Sequence, residues 1–431
     1  MVERANVADR VAGALRTVLG VDDLPVRLRV WDGSVAGPDG APTVVVRSRR
    51  ALRRLVWAPG ELGLARAYVA GELDVEGDLA TVFAALSSAG RLAPGDESPG
   101  PSFRERLELL RTAARLGVLG PNPAPPPEEV RLSGSGRPHS RARDAVAVSH
   151  HYDISNEFYR LVLGPSMVYS CALWESEDTG EDTGLDAAQE AKLDLICRKL
   201  GLSEGARLLD VGCGWGSLAI HAARHYGAQV VGITLSEQQA ALARKRVAEA
   251  GLTERVDIRI QDYRAITDGA FDAISSVGMA EHVGRAELPV YAAQLTALLR
   301  PGGRLLNHAI AWNAGETTWE EDSFIARYVF PDGELISLGD MVGALESPGL
   351  EVLDVDVLRR HYAMTLRAWV QNLEQNWDAA VAATSVGRAR VWRLYMTASA
   401  LAFDGGTLGV NQVLLQRPGG EVPPLRRREW V

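Results

Sequence analysis

Hydrophobic and polar positions along the chain change period part-way. In the first third, VRLRVW (26–31) and TVVVRS (43–48) alternate with period two, and the Gly/Asp/Pro cluster between them predicts a hairpin turn. PGELGLARAYVAGEL (59–73) and GDLATVFAALSS (77–88) carry helical spacing, so residues 25–80 read as a small α+β unit. Residues 118–143 are rich in Pro, Gly, Ser and Arg and offer little to bury, which predicts a linker or mobile loop. From about residue 185 helical and strand patterns alternate, as in a parallel sheet covered on both faces. A helix is expected over roughly 186–201. ARLLDVG (206–212), QVVGITL (229–235), VDIRIQD (256–262), FDAISSVG (271–278) and GRLLNHAI (303–310) read as strands. SLAIHAARHYG (217–227) and SEQQAALARKRVAEAG (236–251) read as helices, the second capped by Ser236. LGVNQVLLQRP (408–418) reads as a last, antiparallel edge strand. These patterns divide the chain into an N-terminal α+β domain (1–117), a flexible linker (118–145) and an α/β domain (146–431).

Composition narrows the classes. The 431 residues are 46% hydrophobic and 23% charged, with a net charge of −9, which argues against a nucleic-acid partner. Three scattered cysteines, Cys171, Cys197 and Cys213, make neither a disulfide framework nor a CxxC metal site, and no metal is expected. No signal-peptide pattern and no apolar run of about 18 residues is found, so a cytoplasmic, non-integral protein is expected. The charge is uneven: residues 1–147 hold 20 Arg against 18 Asp and Glu, and Lys occurs only at 192, 199 and 245. The runs Arg47, Arg49, Arg50, Arg53, Arg54 and Arg104, Arg106, Arg111, Arg115 suit either a solvated face or a surface for anionic lipid headgroups.

The chemistry starts at Asp210-Val211-Gly212-Cys213-Gly214-Trp215-Gly216, between a strand and a helix. Glycines there allow tight turning and close approach of a ligand. The spacing is GxGxG, not the GxGxxG of a pyrophosphate binder, and the second strand ends in Thr234 where a dinucleotide enzyme has an acid. A nucleoside with an amino-acid tail, S-adenosylmethionine, fits this better than another nucleotide or purely structural glycines. Gln239 is a candidate ribose partner, and Asp262-Tyr263 sits at the carboxyl edge of the sheet, where a polar residue beside an aromatic suits adenine. Taken singly, Cys171 suits a buried apolar position and His308 an interior strand, whereas Glu281-His282 follows a strand's carboxyl end.

HYDISNEFYRLVLGPSMVYSCALW (151–174), LLDVGCGWG (208–216), GITLSEQQ (232–239), VGMAEHVG (277–284), HYAMTLRAW (361–369) and AFDGGTLGVNQVLLQRP (402–418) together resemble the cyclopropane-fatty-acyl-phospholipid synthase family, in its long form with an N-terminal domain. The resemblance implies a class I methyltransferase Rossmann-like α/β fold with a mostly parallel sheet and an antiparallel last strand. It implies one-carbon transfer from S-adenosylmethionine to a cis double bond of a phospholipid acyl chain. A carbocation forms and is deprotonated by a bound bicarbonate ion to give a cyclopropane ring. A methylene branch, reduced later by a separate reductase, is the alternative product, and a small-molecule methyltransferase a weaker one. Carried over, the bicarbonate cage would be Cys171, Glu281, His308, Ile310 through its backbone, and Tyr362, while Tyr169 and Ser170 would touch the cofactor. His151, Tyr152 and Asp153 would shape a lid over it. A homodimer working peripherally at the inner membrane face is likewise implied. Where the family often has Cys and Phe, this chain has Ser399 and Ala280; the first excludes a thiol there, and the second is expected to enlarge the pocket.

Overall fold

The computed structural model describes residues 6–89, 100–130, 143, 155–176, 184–313, 322–420, 422 and 425–427. The lid residues 151–153 lie outside these. The chain divides into two compact units, the first formed by residues 1–130, 321–329 and 385–401, the second by the remainder.

The first unit holds a four-stranded sheet in the order β2-β1-β3-β4. Its strands are β1 (Arg27–Val30), β2 (Val35–Ala36), β3 (Thr43–Val46) and β4 (Leu73–Glu76). The expected hairpin of β1 with β3 is corrected: those strands run parallel, and the short β2 takes the antiparallel place beside β1. Alternation reports which residues face the core but not strand direction, which the connection decides. Leu28, Val30, Val44 and Val46 pack with Val11 of the helix Val7–Leu19, which Asn6 caps with a reciprocal Asp9 contact.

The first arginine run folds into the helix Arg49–Trp57. Arg54 is only 4% exposed and donates to Glu72 through Nε and Nη2 (2.8 and 3.2 Å), while Nη1 donates to the Ala124 carbonyl at 2.9 Å. Arg53 donates to the Val118 carbonyl (3.0 Å), and Arg47 and Arg50 pair with Asp74 and Glu72. Arg66 holds Glu129 through two 2.6 Å bonds. This corrects the linker: residues 118–130 belong to the first unit, tied by arginines to backbone carbonyls and a buried carboxylate, while 131–142 and 144–145 lie outside the described residues. Prolines deny a segment regular ladders without denying it side-chain anchors. The same unit also takes in 321–329 and 385–401, so it is discontinuous in sequence.

The second unit is built on a seven-stranded sheet, β10-β11-β9-β8-β5-β6-β7. Its strands are β5 (Arg207–Val211), β6 (Gln229–Thr234), β7 (Val256–Ile260), β8 (Phe271–Val277), β9 (Leu299–Trp312), β10 (Glu351–Val357) and β11 (Leu408–Gln416). Strands β5 to β9 run parallel, and β11 is antiparallel to both neighbours. The expectation that β11 is an edge is corrected. Every residue of β11 is buried, and the half-exposed β10 covers it as the edge. An acidic strand such as EVLDVDV tolerates water along one side, which a central strand cannot. One apolar cluster gathers Leu209, Ile274 and Leu305 with Leu295, and a second gathers Leu208, Val230 and Leu306 with Ile196 and Ala219. From β5 the chain moves one way to β6 and β7 and then returns to β8, so a topological switch lies between β5 and β8, where open α/β sheets bind ligands.

Candidate active site

The glycine loop leaves β5 at that switch. Gly212, Gly214 and Gly216 all have positive φ (80°, 53° and 79°). The Gly212 and Cys213 amides both donate to the Ile233 carbonyl, at 3.0 and 2.9 Å, pinning the loop to β6. A Cβ on Gly212 would come within 2.5 Å of the Met279 side chain, so the close packing of the loop on the segment after β8 needs glycine. The loop borders a cleft lined also by Tyr169, Ser170, Asp210, Thr234, Gln239, Asp262 and Tyr263. All the expected cofactor residues line it except Gly216. That residue precedes the helix Ser217–Tyr226 in left-handed conformation and packs on Ala243.

Several polar groups of the cleft are held by side-chain hydrogen bonds. Asp210 accepts from Ser275 at 2.8 Å, and burial pushes its carboxyl up to about 6. Thr234 donates to Gln239 Oε1 at 2.7 Å, so the amide of Gln239 offers a ligand its NH2 donor. Asp262 is held by Arg264 at 2.7 and 2.8 Å, and Arg264 also lies over the Tyr263 ring. Lys192, 1% exposed, lines the cleft and donates to Ser170 Oγ at 2.7 Å; burial lowers its ammonium to about 8.

The expected cage residues lie beside this cleft. Glu281 sits in the turn Ala280–Val283 after β8, and its Oε1 accepts from the Ile310 amide at 2.8 Å. Its Oε2 is buried without a partner, and burial raises its carboxyl to about 7. His308 lies two residues before Ile310 on β9, hence on the same face. Its Nδ1 meets Gln412 Nε2 at 3.2 Å on β11, whose Oε1 in turn accepts from Lys199 Nζ at 2.9 Å. An ammonium only donates, so the Gln412 amide must turn its NH2 to His308; Nδ1 is then the acceptor and Nε2 carries the hydrogen. That Nε2 is also buried without a partner. Burial, with Lys192 and Lys199 nearby, holds the imidazole well below its usual range and therefore neutral. Cys171 and Tyr362 meet at one carbonyl: Leu358 O receives the Cys171 thiol at 3.7 Å and the Tyr362 amide at 3.1 Å. Leu358 itself donates to Val410 of β11, which pairs with Ile310. Burial raises the Cys171 thiol far above its usual range, so it is no thiolate.

The family model described as "Mycolic acid cyclopropane synthetase" matches residues 139–413. A "Probable fatty acid methyltransferase" of Mycobacterium tuberculosis is 42% identical over 420 residues, covering 93% of this chain and 94% of that one. The cyclopropane-fatty-acyl-phospholipid synthase of Escherichia coli is 35% identical over 316 residues, covering 73% and 79%. The chain belongs to the mycolic acid cyclopropane synthetase family. It is an S-adenosylmethionine-dependent lipid methyltransferase of the cyclopropane synthase type. The crystal structure of a mycolic acid cyclopropane synthase complexed with SAH and CTAB is similar at a TM-score of 0.59 and 34% identity, covering 63% of this chain and 98% of that one.

Within this methyltransferase, sequence reasoning missed Lys192, Met279, Gln412 and Lys199. A signal for the lysines was present. Gln189, Lys192, Ile196 and Lys199 recur at helical spacing, and all four are buried on the helix Leu185–Leu200. Two of three lysines in an arginine-dominated chain thus occupy core positions. Ala280 is buried in the apolar cluster and is absent from the cleft lining.

Proposed function

We propose that this enzyme transfers the methyl group of S-adenosylmethionine to a cis double bond in a phospholipid acyl chain and closes a cyclopropane ring. The observation that carries the reading is that Glu281 Oε2 and His308 Nε2 are among the buried atoms without partners, on residues next to the cleft-lining Met279 and His282 and paired with the cleft-lining Val277. Buried polar atoms are ordinarily satisfied, so such a pair points to a missing reaction partner. In the cleft, Gln239 offers its NH2 to the ribose, Tyr263 its ring to adenine, and Lys192 with Ser170 a cationic corner for the methionine carboxylate. The alkene π pair forms the new C–C bond as the S–C bond breaks and its electrons return to sulfur. The cation left on the chain loses a proton from the new methyl group, and that C–H pair closes the ring.

The residues fit a bicarbonate ion: the His308 Nε2–H is a donor for one of its oxygens, and Glu281 Oε2 an acceptor for its hydroxyl proton. Bound there, it would supply an oxygen base for that proton. Glu281, charged above about pH 7, draws the proton away and stabilises the positive charge on the chain. Because Glu281 shares a turn with the cleft-lining Met279 and His282, it stands near the arriving methyl, which favours proton loss from that methyl. The second reading, hydride shift and a methylene branch for a separate reductase, is favoured by the 42% identity to a fatty acid methyltransferase.

The membrane contact is assigned to the helix Phe103–Arg115 ahead of the Arg47–Arg54 run, in which Arg53 and Arg54 bond within the first unit while Arg47, Arg49 and Arg50 stay exposed. Phe103, Leu107 and Leu110 are exposed at i, i+4 and i+7, flanked by Arg104, Arg106 and Arg111, the composition of a helix lying in a bilayer interface. Among the described residues no helix is long and apolar enough to cross a membrane. A homodimer at the inner membrane face completes the reading. The test is incubation with S-adenosylmethionine and vesicles carrying cis-monounsaturated chains, followed by mass and NMR analysis of the acyl chains. Cyclopropyl protons are expected; vinylidene protons would select the second reading, and no added carbon would reject both.

A further inference from the structure

A second cluster of ligand-type side chains stands outside the reaction site. The helices Leu185–Leu200 and Ser217–Tyr226 each carry such residues one turn apart, Glu190 and Asp194 on the first, His221 and His225 on the second. One donor atom from each of Glu190, His221 and His225 lies within 4.8 Å of the other two, and the three line a surface recess with Asp194 and Tyr226. The two imidazole rings are 4.5 Å apart. His221 is 8% exposed, and its Nε2 is buried without a hydrogen-bond partner. The nearest carboxylate oxygen, Asp194 Oδ1, is 3.9 Å away, too far for a hydrogen bond. Asp194 is otherwise committed, accepting from the Tyr226 hydroxyl at 2.6 Å and from Arg198 at 2.8 Å.

We propose that Glu190, His221 and His225 form a binding site for a zinc-class divalent cation, with water as fourth ligand and Asp194 as an outer carboxylate. Two imidazoles and one carboxylate suit zinc, whereas magnesium and calcium take all-oxygen sets. A bound cation would give His221 Nε2 the partner it lacks. Glu190 and His225 are exposed and retain the rotamer freedom to close to zinc distances of about 2.1 Å. The lack of a Cys pattern hid this site in the sequence, because its ligands come from two helices.

The placement has a consequence for the methyl donor. The first helix also carries Lys192, Leu193 and Ile196 into the donor cleft, and the second begins at the glycine loop with Ser217 and Leu218 in the cleft wall. A cation held between the helices clamps two walls of the cleft and tightens cofactor binding.

The test uses the tag-free, metal-stripped full chain, titrated with zinc chloride by calorimetry and with cobalt(II) by absorption. One equivalent is expected, with cobalt bands of a nitrogen–oxygen set and no thiolate charge transfer, because Cys171, Cys197 and Cys213 are buried elsewhere. The surface variants Glu190→Gln and His225→Ala should lose the equivalent, and Asp194→Asn should weaken it about tenfold. No binding, thiolate bands, or a stoichiometry unchanged in both surface variants would overturn the site. S-adenosylhomocysteine should bind more tightly with zinc in the wild type and not in His225→Ala; an equal response in both would overturn the clamp.

Discussion

The cleft proposed for the methyl donor and the cage proposed beside it both hold buried polar groups, yet they manage them in different ways. In the cleft, Asp210 answers Ser275, Thr234 answers Gln239, Asp262 answers Arg264 and Lys192 answers Ser170. In the cage, Glu281 and His308 each have one end fixed, by Ile310 and Gln412, and the other end without a partner. A region that must hold a ligand in one pose gains from groups already oriented by each other. A region that must act on protons keeps reactive atoms aimed and unsatisfied, at some cost in stability.

The largest expected break in this contrast is Glu281→Gln. Turnover should fall by about 10²- to 10⁴-fold while S-adenosylhomocysteine binding, read by calorimetry, stays unchanged. The same group should show in stability. Its carboxyl holds a proton up to about pH 7, whereas an unfolded glutamate releases it near 4.3. The folded state therefore binds more protons between these values, and stability falls as pH rises through that window. Denaturant titrations should find a shallower fall in Glu281→Gln; an identical slope would remove Glu281 as its source.

Next is Gln412→Glu, which leaves both oxygens as acceptors and forces the hydrogen of His308 onto Nδ1. The imidazole ¹⁵N shifts should exchange, with kcat down by about 10²-fold and the KM for S-adenosylmethionine little changed. Unmoved shifts would discard the tautomer argument. Lys192→Met belongs to the binding side, and should weaken S-adenosylhomocysteine about tenfold, or about 1.4 kcal/mol. In the wild type that affinity should fall as pH rises through about 8, where Lys192 loses its charge, and in the variant it should not. The last effect is remote from both regions. Phe103→Asp with Leu110→Asp should reduce sedimentation with anionic vesicles about tenfold, and Arg47→Glu with Arg50→Glu much less. Equal losses would return the membrane contact to the first arginine run.

The two regions also differ in how far the sequence revealed them. The glycine loop, Thr234 and Gln239 were legible because they are local. A strand end, a turn and a helix start lie within a few residues, and the backbone conformations they need restrict residue type. Of the cage residues, far apart in the chain, Glu281 stood out by its place after a strand's carboxyl end, and Cys171, His308, Ile310 and Tyr362 were nameable only through family resemblance. Nothing in GRLLNHAI says that His308 meets Gln412, a pairing set by β11 entering between β9 and β10. One arginine of the first run departed from its charge. Arg47, Arg49 and Arg50 stay exposed, but Arg54 found Glu72 and a backbone carbonyl within the first unit and became part of its interior.

The sequence by itself determined the alternating α/β order, the glycine turn at the switch point and the family, because each follows from local periodicity, backbone freedom or ordered motifs. Only the tertiary structure decided strand direction in the N-terminal sheet, the interior place of β11, the burial of Lys192, Lys199 and Arg54, and which atoms of Glu281 and His308 stay without partners. Those depend on which distant segments exclude water from one another, and that is a property of the packed chain.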